Sequence, residues 1–518
     1  MTVATRLFKN IASSWSILIV NIVVSFFLAP FVVHSLGNVY YGIWAIVGQF
    51  TGYLYLLDFG VRESVIRYTS KYYPRAQSLK LNRIITTAFA LYTPVLILCV
   101  LVSLIGAWGF PYWFNIDPQL SDTVRIVVLL VGLTIAQTFV FNVFTGILQG
   151  VHRFDVTNQF GIVVTLLRAG LIVVALSLGY GIIALSLIQL LFAIITGLYT
   201  AFMAVSILKQ ANMKLKIARM PWRRFAALAR RVAGYSYYVL VNNIGQKIVL
   251  VSDAIIIGIF MPVASVTFYA IAGSLIGYLR NLVVATAQVF NPLTSHYAAL
   301  KDTAQIQQVL IRGSRLSIFI SLPVITAYVI LGREFIGLWM GSEYMQQAGD
   351  VLAILAIMYI FSSPHHVISS VLYGLSRHGT LSYLRLVEAA VNLTLCIILV
   401  QKMGLIGVAL GTAIPHIVMT AIVLPILVTR TVKLSLWKYF SGAYVGPFLS
   451  IIPFIVGTYY FRVQIPATSL LVFFLQIGFL LVIYLLAGYR LAIDHEERIV
   501  VRHHVTRVLS RFGIVFKE

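Results

Sequence analysis

The side chains best placed to do chemistry are charged residues that stand inside long apolar stretches of the chain. They are the basic residues Arg62, Arg168, Lys247 and Arg280 and the acidic residues Asp58, Asp253 and Glu388. If those stretches cross a membrane, an ionised side chain near mid-depth costs about 2.5–3.5 kcal/mol on insertion scales, so each needs a partner or a ligand. Arg and Lys at that depth would replace the water around an anion, because both donate charge-assisted hydrogen bonds. The pattern therefore favours an anion-binding cavity.

Arg62 has acidic neighbours along the chain. Only about 15 apolar residues precede Asp58, too few to cross ~30 Å at 1.5 Å per residue, so we expect one helix over 43–70 that continues through these charges. Asp58 with Arg62 and Glu63 with Arg67 are then i,i+4 pairs with the acid first, which is the favourable order. Either each pair neutralises itself, or Arg62 faces a wet cavity.

Lys247 and Arg280 lack such neighbours. They stand roughly 13 and 15 residues into their predicted helices, which puts both near mid-depth. Neither has a carboxylate three or four residues away. We predict that both line a polar cavity; the alternative is an ion pair between helices, with Asp253 or Glu388 as the partner.

The remaining charges each allow two interpretations. Arg168 either snorkels to the interface or lines the interior of the first half. Asp253 lies about 240° round its helix from Lys247, so the two do not pair directly, and it either holds a coupling ion or accepts a structural hydrogen bond. Glu388 follows Arg385 by three residues, which favours a local ion pair. The candidates for ion coupling or gating are Asp58, Asp253 and Glu388.

Several other kinds of chemistry are not expected. Cys99 and Cys396 lie far apart in separate apolar stretches, which argues against a disulfide and a Cys/His metal site. His365 and His366 beside Pro364 are typical of a helix bend. The chain contains no G-x-x-x-x-G-K-[ST] sequence, so it does not hydrolyse ATP through a P-loop. We expect no catalytic residue, no metal and no cofactor. Transport would then be driven by an ion gradient, with H⁺ or Na⁺ as the candidate coupling ion, by the gradient of the substrate itself, or by a partner.

The elements that must position these side chains are transmembrane helices. Of 518 residues, 60% are hydrophobic and only 10% are charged, whereas soluble domains carry about 25% charged residues. Apolar stretches of about 20 residues recur along the chain, the length that crosses ~30 Å of hydrocarbon. They are continuous and do not alternate, which predicts helices and not barrel strands. The sequence predicts an all-α polytopic membrane protein with about 14 transmembrane helices.

The basic residues predict the orientation. The net charge is +23, and Lys and Arg concentrate in every second connection and at both ends of the chain. The positive-inside rule then gives a multi-pass protein of the cytoplasmic (inner) membrane with both termini in the cytoplasm. We expect this basic face to contact anionic lipid, and no nucleic acid. The tail aligns Val501, Val505, Val508 and Phe512 among arginines, which suits an interfacial helix or a solvated one.

An internal repeat divides the chain, because Trp44–Tyr72 aligns without gaps on Tyr269–Tyr297. Matching positions include Thr69 with Thr294, Gly150 with Gly374 and Gly179 with Gly404. A unit of about six spans is even, so both copies share one orientation, related by a pseudo-two-fold axis along the membrane normal, with a substrate site between them. The predicted parts are an N-lobe (1–208), a basic linker (209–233), a C-lobe (234–430), two further helices (431–489) and a basic tail (490–518).

Several segments carry a resemblance to a known family. They are LGNVYYGIW at 36–44, LDFG at 57–60, LQGVHRFD at 148–155 followed by Asn158, DAIIIG at 253–258 followed by YAIA at 269–272, and GLIGVALG at 404–411. In order and spacing they resemble the polysaccharide transporters of the multidrug/oligosaccharidyl-lipid/polysaccharide (MOP) superfamily, the O-antigen type of lipid-linked oligosaccharide flippase. The resemblance implies two six-helix lobes around a cavity that opens alternately inward and outward. It also implies a polyprenyl-diphosphate-linked glycan as cargo, whose head group the cations at mid-depth would bind.

Other functions stay open. A multidrug or cation-coupled metabolite antiporter of the same superfamily would use buried acids to exchange cations, whereas the charge at mid-depth here is mainly basic. A lipid II flippase is a closer variant. A membrane-embedded glycosyltransferase or polymerase would need catalytic groups on sizeable external loops, which are short here. We expect a monomer that works with glycan polymerase or ligase machinery.

Overall fold

The computed structural model describes residues 3–234, 237–288, 290–375, 377–492 and 498, and their regular secondary structure is entirely helical. The α-helices are α1 (Val3–Gly52), α2 (Val61–Tyr72), α3 (Ser78–Trp113), α4 (Ser121–Gly150), α5 (Phe154–Ser177), α6 (Gly181–Gln210), α7 (Trp222–Gly234), α8 (Tyr237–Phe260), α9 (Ala264–Gln288), α10 (Phe290–Ala299), α11 (Thr303–Met340), α12 (Ser342–Ser362), α13 (His365–Gly374), α14 (His378–Ile417), α15 (Leu424–Thr431), α16 (Leu436–Phe440), α17 (Gly446–Gln464) and α18 (Leu470–Leu491). The apolar stripe predicted for the tail, 501–512, lies outside the described residues.

Within the described chain, eleven helical stretches are long and apolar enough to cross a membrane. Two of them are long enough for two crossings of about 20 residues each, since Trp15–Asp58 has 44 residues and Gly379–Thr431 has 53. Each contains a glycine with non-helical angles, Gly37 (φ 72°, ψ 168°) and Gly404 (φ 58°, ψ −133°). Glycine adopts positive φ without a Cβ clash, so the chain can change direction there. The polytopic all-α fold is confirmed, and the number fourteen stays a prediction.

The helix predicted over 43–70 is interrupted, so that prediction was wrong. A 3₁₀ turn covers Tyr53–Asp58, and α2 begins only after Phe59 (φ 47°) and Gly60 (φ 68°). These left-handed backbone angles end an α-helix. Asp58 and Arg62 are therefore not an i,i+4 pair on one helix.

By packing, the chain divides into two compact units. The first is Met1–Ala270 with Ser382–Leu393, and the second is Ile271–Leu381 with Thr394–Glu518. Helix α14 contributes to both. The predicted lobes divide the chain at other points, and their boundaries stay a prediction.

In the first unit, α4 packs against α2, α3 and α6, and α1 packs against α5 and α8. The close approach of α2 to α4 depends on Gly146 and Gly150, which have the four-residue spacing of small residues at membrane helix contacts. A Cβ at Gly146 would lie 3.0 Å from Cγ1 of Val65, and one at Gly150 would lie 2.8 Å from the carbonyl oxygen of Ile66. Only glycine leaves room for α2 at both positions.

In the second unit, α11 packs against α12, α13, α17 and α18. Buried polar groups join these helices as well as apolar contacts. Ser321 Oγ donates a hydrogen bond to Ser363 Oγ (2.7 Å), and Tyr484 OH donates to the carbonyl oxygen of Phe319 (2.7 Å). In a water-free interior such groups need a partner, so these bonds help to fix the helix positions.

The aligned positions of the sequence repeat make the same contact, each inside its own unit. A Cβ at Gly150 would lie 2.5 Å from Cβ of Thr69, and a Cβ at Gly374 would lie 2.7 Å from Cγ2 of Thr294. In the sequence repeat, Gly150 aligns with Gly374 and Thr69 aligns with Thr294. The repeat therefore preserves one helix contact that requires a residue without a side chain.

Candidate functional site

The first unit contains a polar cavity of about 330 Å³ between α4, α5 and α6. Its hydrogen-bonding side chains are Tyr55, Thr134, Gln137, Thr138, Asn142, Thr145, Arg168, Gln189, Thr196 and Thr200. Among the residues that line it, Arg168 is the one charged group. Polar groups gathered in a membrane protein interior are costly unless water or a ligand satisfies them. The cavity is therefore suited to a polar ligand.

One face of α4 supplies most of this lining. Thr134, Thr138, Asn142 and Thr145 recur at three- or four-residue intervals, the spacing of a single helix face, and Gln149 continues it. From the first to the last of these residues the helix rises about 22 Å, compared with ~30 Å of hydrocarbon. We call this face the α4 polar stripe. It offers hydrogen-bonding groups over most of the depth of a bilayer.

Helix α6 closes the cavity opposite the α4 polar stripe. Gln189, Thr196 and Thr200 lie on its cavity face, again at helical spacing. Between them Gly197 lies directly against the ring of Phe141 on α4, where a Cβ would clash. This glycine lets α4 and α6 approach closely, so their polar faces share one space.

A second cavity of about 330 Å³ in the same unit shares Arg168 and Gln189 with the first. The rest of its wall is mostly apolar or aromatic: Leu28, Ala29, Val32, Tyr41, Trp44, Ile172 and Leu185, with Ser25. Arg168 is an exposed residue and lines both cavities. The first cavity is rich in hydroxyls and amides, and the adjoining one has more aliphatic and aromatic side chains.

Two further predicted cations lie beside the polar surface. Lys247 Nζ lies 5.9 Å from the ring centroid of Tyr55, which lines the polar cavity, and this is within cation–π range. Arg62 Nη2 donates to Gln149 Oε1 (3.1 Å) at the end of the α4 polar stripe. The glycine contacts between α2 and α4 bring Arg62 there. The first unit thus places three basic side chains, the third being Arg168, along one polar surface.

Arg280 belongs to α9 in the second unit, and its side chain is half-buried. The binding roles predicted for Arg62, Arg168, Lys247 and Arg280 stay predictions. The described part of the chain holds no group of three or more potential metal ligands.

Each of the predicted acids has a hydrogen-bonding partner: Asp58 with Tyr92 OH, Asp253 with Tyr269 OH (2.5 Å), and Glu388 with Arg385 Nη1 (2.7 Å). The last is the local ion pair that the sequence favoured. The Tyr269 contact agrees with the structural interpretation of Asp253, because a donated hydrogen bond offsets the cost of burying a carboxylate. Roles of these acids in ion coupling or gating stay predictions.

Charged residues alone do not identify the α4 polar stripe. Its members are neutral, and the hydroxyls of Thr134, Thr138 and Thr145 donate to carbonyl oxygens of α4 itself, as isolated threonines in helices also do, so only their spacing marks them as a group. Threonine and asparagine at three- and four-residue intervals in an otherwise apolar span are the pattern that would have found it.

Sequence comparison identifies related proteins of glycan assembly. A family model described as "Polysaccharide biosynthesis protein" matches residues 35–348. The probable low-salt glycan biosynthesis flippase Agl15 of Haloferax volcanii is 29% identical over 194 residues, which span 38% of this chain and 41% of that protein. A putative O-antigen transporter of Shigella flexneri is 21% identical over 405 residues, 77% of this chain and 92% of that protein.

Solved structures of two transporter types have the same fold. The lipid II flippase MurJ in an inward closed conformation gives a TM-score of 0.65 at 15% identity and covers 92% of this chain and 97% of its own. An inward-facing multidrug resistance MATE transporter of the MOP superfamily gives 0.65 at 16% identity, with 80% and 96% covered. At these identities the likeness concerns the fold. Because the family model covers more than half of the sequence, this chain belongs to the polysaccharide biosynthesis protein family, with the fold of MOP-superfamily transporters.

Proposed function

We propose that this chain is a flippase that moves a polyprenyl-diphosphate-linked oligosaccharide across the cytoplasmic membrane by alternating access, for cell-surface polysaccharide assembly. The observation that carries the proposal is that Arg168 lines both the hydroxyl- and amide-lined cavity and the adjoining one, which has more aliphatic and aromatic side chains. A lipid-linked glycan has the same order of chemistry, with sugar hydroxyls, then a diphosphate, then a hydrocarbon chain. The first unit offers a matching surface for each part.

The cavity residues suit this cargo physically. The threonine hydroxyls donate to their own helices and can accept from a sugar hydroxyl, while the side-chain amides of Asn142 and Gln189 can both donate and accept. The guanidinium of Arg168 can bind a phosphate through two parallel hydrogen bonds. Lys247 and Arg62 add positive charge along the same surface, and we assign Arg280 the same task in the second unit. Together these groups would replace the water that a head group loses on leaving the aqueous phase.

The named relatives favour a glycan over a drug. One is called a glycan biosynthesis flippase and another an O-antigen transporter, whereas the multidrug transporter shares the fold only. A cation-coupled drug antiporter would present a buried acid to its substrate, but the charged group that lines the polar cavity is Arg168. Transport also suits the site better than glycosyl transfer, which needs a catalytic acid or base at the sugar.

We infer the cellular setting from the charge distribution. Lys and Arg in alternate connections favour the cytoplasmic membrane with both termini inside. A gradient of H⁺ or Na⁺ is the proposed energy source. The proposed state is a monomer that delivers its cargo to glycan polymerase or ligase machinery.

The test is a transport assay with two cargoes. Purified protein is reconstituted into vesicles that contain a prenyl-diphosphate oligosaccharide, and an external glycosidase measures how much head group becomes accessible. We expect accessibility to rise beyond that of protein-free vesicles, while ethidium, a lipophilic cation, is not transported. Ethidium uptake without glycan exposure would replace this proposal with the antiporter.

A further inference from the structure

A basic segment joins α6 to α8 in the first unit. We call residues 213–232 the basic strap; it includes most of α7. It carries Lys214, Lys216, Arg219, Arg223, Arg224, Arg230 and Arg231, and no Asp or Glu occurs between Lys209 and Gly234. Seven positive charges without an internal acid repel one another, so a fixed structure here requires either a tight attachment or an anionic partner.

The basic strap is attached to α2 and α3 by side-chain to backbone hydrogen bonds. Asn82 Nδ2 donates to the carbonyl oxygen of Lys214 (2.9 Å), the backbone N–H of Ala218 donates to Thr86 Oγ1 (2.9 Å), and Ser64 Oγ donates to the carbonyl oxygen of Val232 (3.2 Å). Both ends are buried, since Met213 is 3% exposed and Val232 is fully buried. The attachment fixes which face of the strap points outward.

The outward face combines cations with large apolar side chains. Ile217 is 87% exposed and Trp222 is 75% exposed, and Lys214, Lys216, Arg223 and Arg224 are exposed beside them. The strap starts just after α6 ends at Gln210, and it lies against the first turns of α3, near Asn82 and Thr86. It therefore sits at the level where two spans leave the hydrocarbon. Tryptophan is enriched at that level of a membrane, and an amphipathic basic helix lies in its plane.

We propose that the basic strap is an anchor that binds the head groups of anionic phospholipids in the adjoining leaflet. Exposed Ile217 and Trp222 enter the acyl boundary, and the flanking cations contact lipid phosphates. Near an anionic surface each Lys or Arg strengthens binding roughly fivefold. Ser64, which holds the strap, lies two residues from Arg62 on α2, so the anchor also holds the helix that carries one of the proposed cargo-binding residues.

The test uses the fluorescence of Trp222. The protein is reconstituted into phosphatidylcholine vesicles that contain an equal minor fraction of brominated phosphatidylglycerol or brominated phosphatidylcholine. The difference between wild type and Trp222→Phe isolates the quenching of this residue. We expect the anionic brominated lipid to quench Trp222 several-fold more strongly than the zwitterionic one, because the basic strap enriches it locally.

A double variant Arg223→Gln/Arg224→Gln should lower that preference close to equal quenching, because each cation contributes roughly fivefold, while Arg125→Gln, in the first turns of α4, leaves it unchanged. Equal quenching by the two lipids in the wild type, or no effect of the double variant, would overturn the proposal. If only aqueous acrylamide quenches Trp222, the surface faces water, and an acidic protein or a nucleic acid is its partner instead. The assay measures no transport, so its outcome is independent of the proposed function.

Discussion

A guanidinium in a membrane interior is tolerated where water, a ligand or an acid can reach it, and Arg168 has a cavity on each side. If it binds the diphosphate, Arg168→Gln removes charge-assisted hydrogen bonds worth about 1.5–3 kcal/mol, so head-group exposure in the vesicle assay should slow about 10- to 100-fold. Arg168→Lys should recover part of the rate, because lysine keeps the charge but not the planar fork.

A matched control for Arg168 is Arg125, which forms an exposed ion pair with Asp122 (3.0 Å). Exposed pairs of this kind contribute little. We expect Arg125→Gln to transport within roughly twofold of wild type. A wild-type rate for Arg168→Gln would remove this residue from the binding site.

At the residue scale, depth in an apolar stretch was enough to single out Arg168 and Lys247, since a charge there is costly whatever the fold. The continuous helix expected between Asp58 and Arg62 was wrong because hydropathy gives no sign of the left-handed turn at Phe59 and Gly60. The hydrogen-bonding partner of Asp58 could not be predicted either. Tyr92, which donates to Asp58, is far away in sequence, and nothing local links the two.

At the element scale, two glycines make the same helix contact in separate units. Gly150→Ala and Gly374→Ala should each destabilise the protein by about 1–3 kcal/mol, because the added methyl group would overlap Thr69 or Thr294. Thermal unfolding midpoints in detergent measure this. Gly170 is the control, since a Cβ there meets nothing within 4 Å. Alanine at 170 should be neutral or stabilising, as it favours the helix. Equal midpoints for all three variants would disprove the shared contact.

The α4 polar stripe makes a second prediction about an element. In the double variant Thr138→Val/Asn142→Leu, groups that would bond sugar hydroxyls become apolar, so head-group exposure should slow roughly fivefold or more. Stability should be kept or increased, because fewer polar groups remain in the interior. Thr93→Val is the control: Thr93 is exposed on α3 and bonds to the carbonyl oxygen of Phe89. If the double variant transports normally, the stripe does not carry the cargo.

The helical secondary structure was the most predictable part of the fold, because the backbone N–H and C=O groups of a span in lipid must form hydrogen bonds within that span. Where the helices stop was less predictable. The left-handed turn at Phe59 and Gly60 was missed, whereas the breaks at Gly37 and Gly404 lie in short polar stretches, HSLGN at 34–38 and QKMG at 401–404, where connections between spans were expected. The sequence repeat shows that glycine and threonine recur at matching positions in the two copies. Only the structure shows that these residues touch and that a larger residue would not fit.

At the scale of the whole molecule, composition and family membership agree on a polytopic transporter fold. The packing units were not predictable, because the first one takes in Ser382–Leu393 from within α14. This distant segment joins it through contacts such as that of Gly245 with the backbone of Arg385. Local hydropathy carries no information about such a long-range contact.

The predicted orientation gives the last prediction. Ile217 in the basic strap and Gln119 between α3 and α4 are both exposed, and the positive-inside rule places them on opposite sides of the membrane. A membrane-impermeant maleimide added to intact cells should label Gln119→Cys and not Ile217→Cys, and inverted vesicles should give the reverse. Background labelling should be low because Cys99 and Cys396 are buried. Labelling of Ile217→Cys from outside would reverse the orientation and place the basic strap at the outer leaflet.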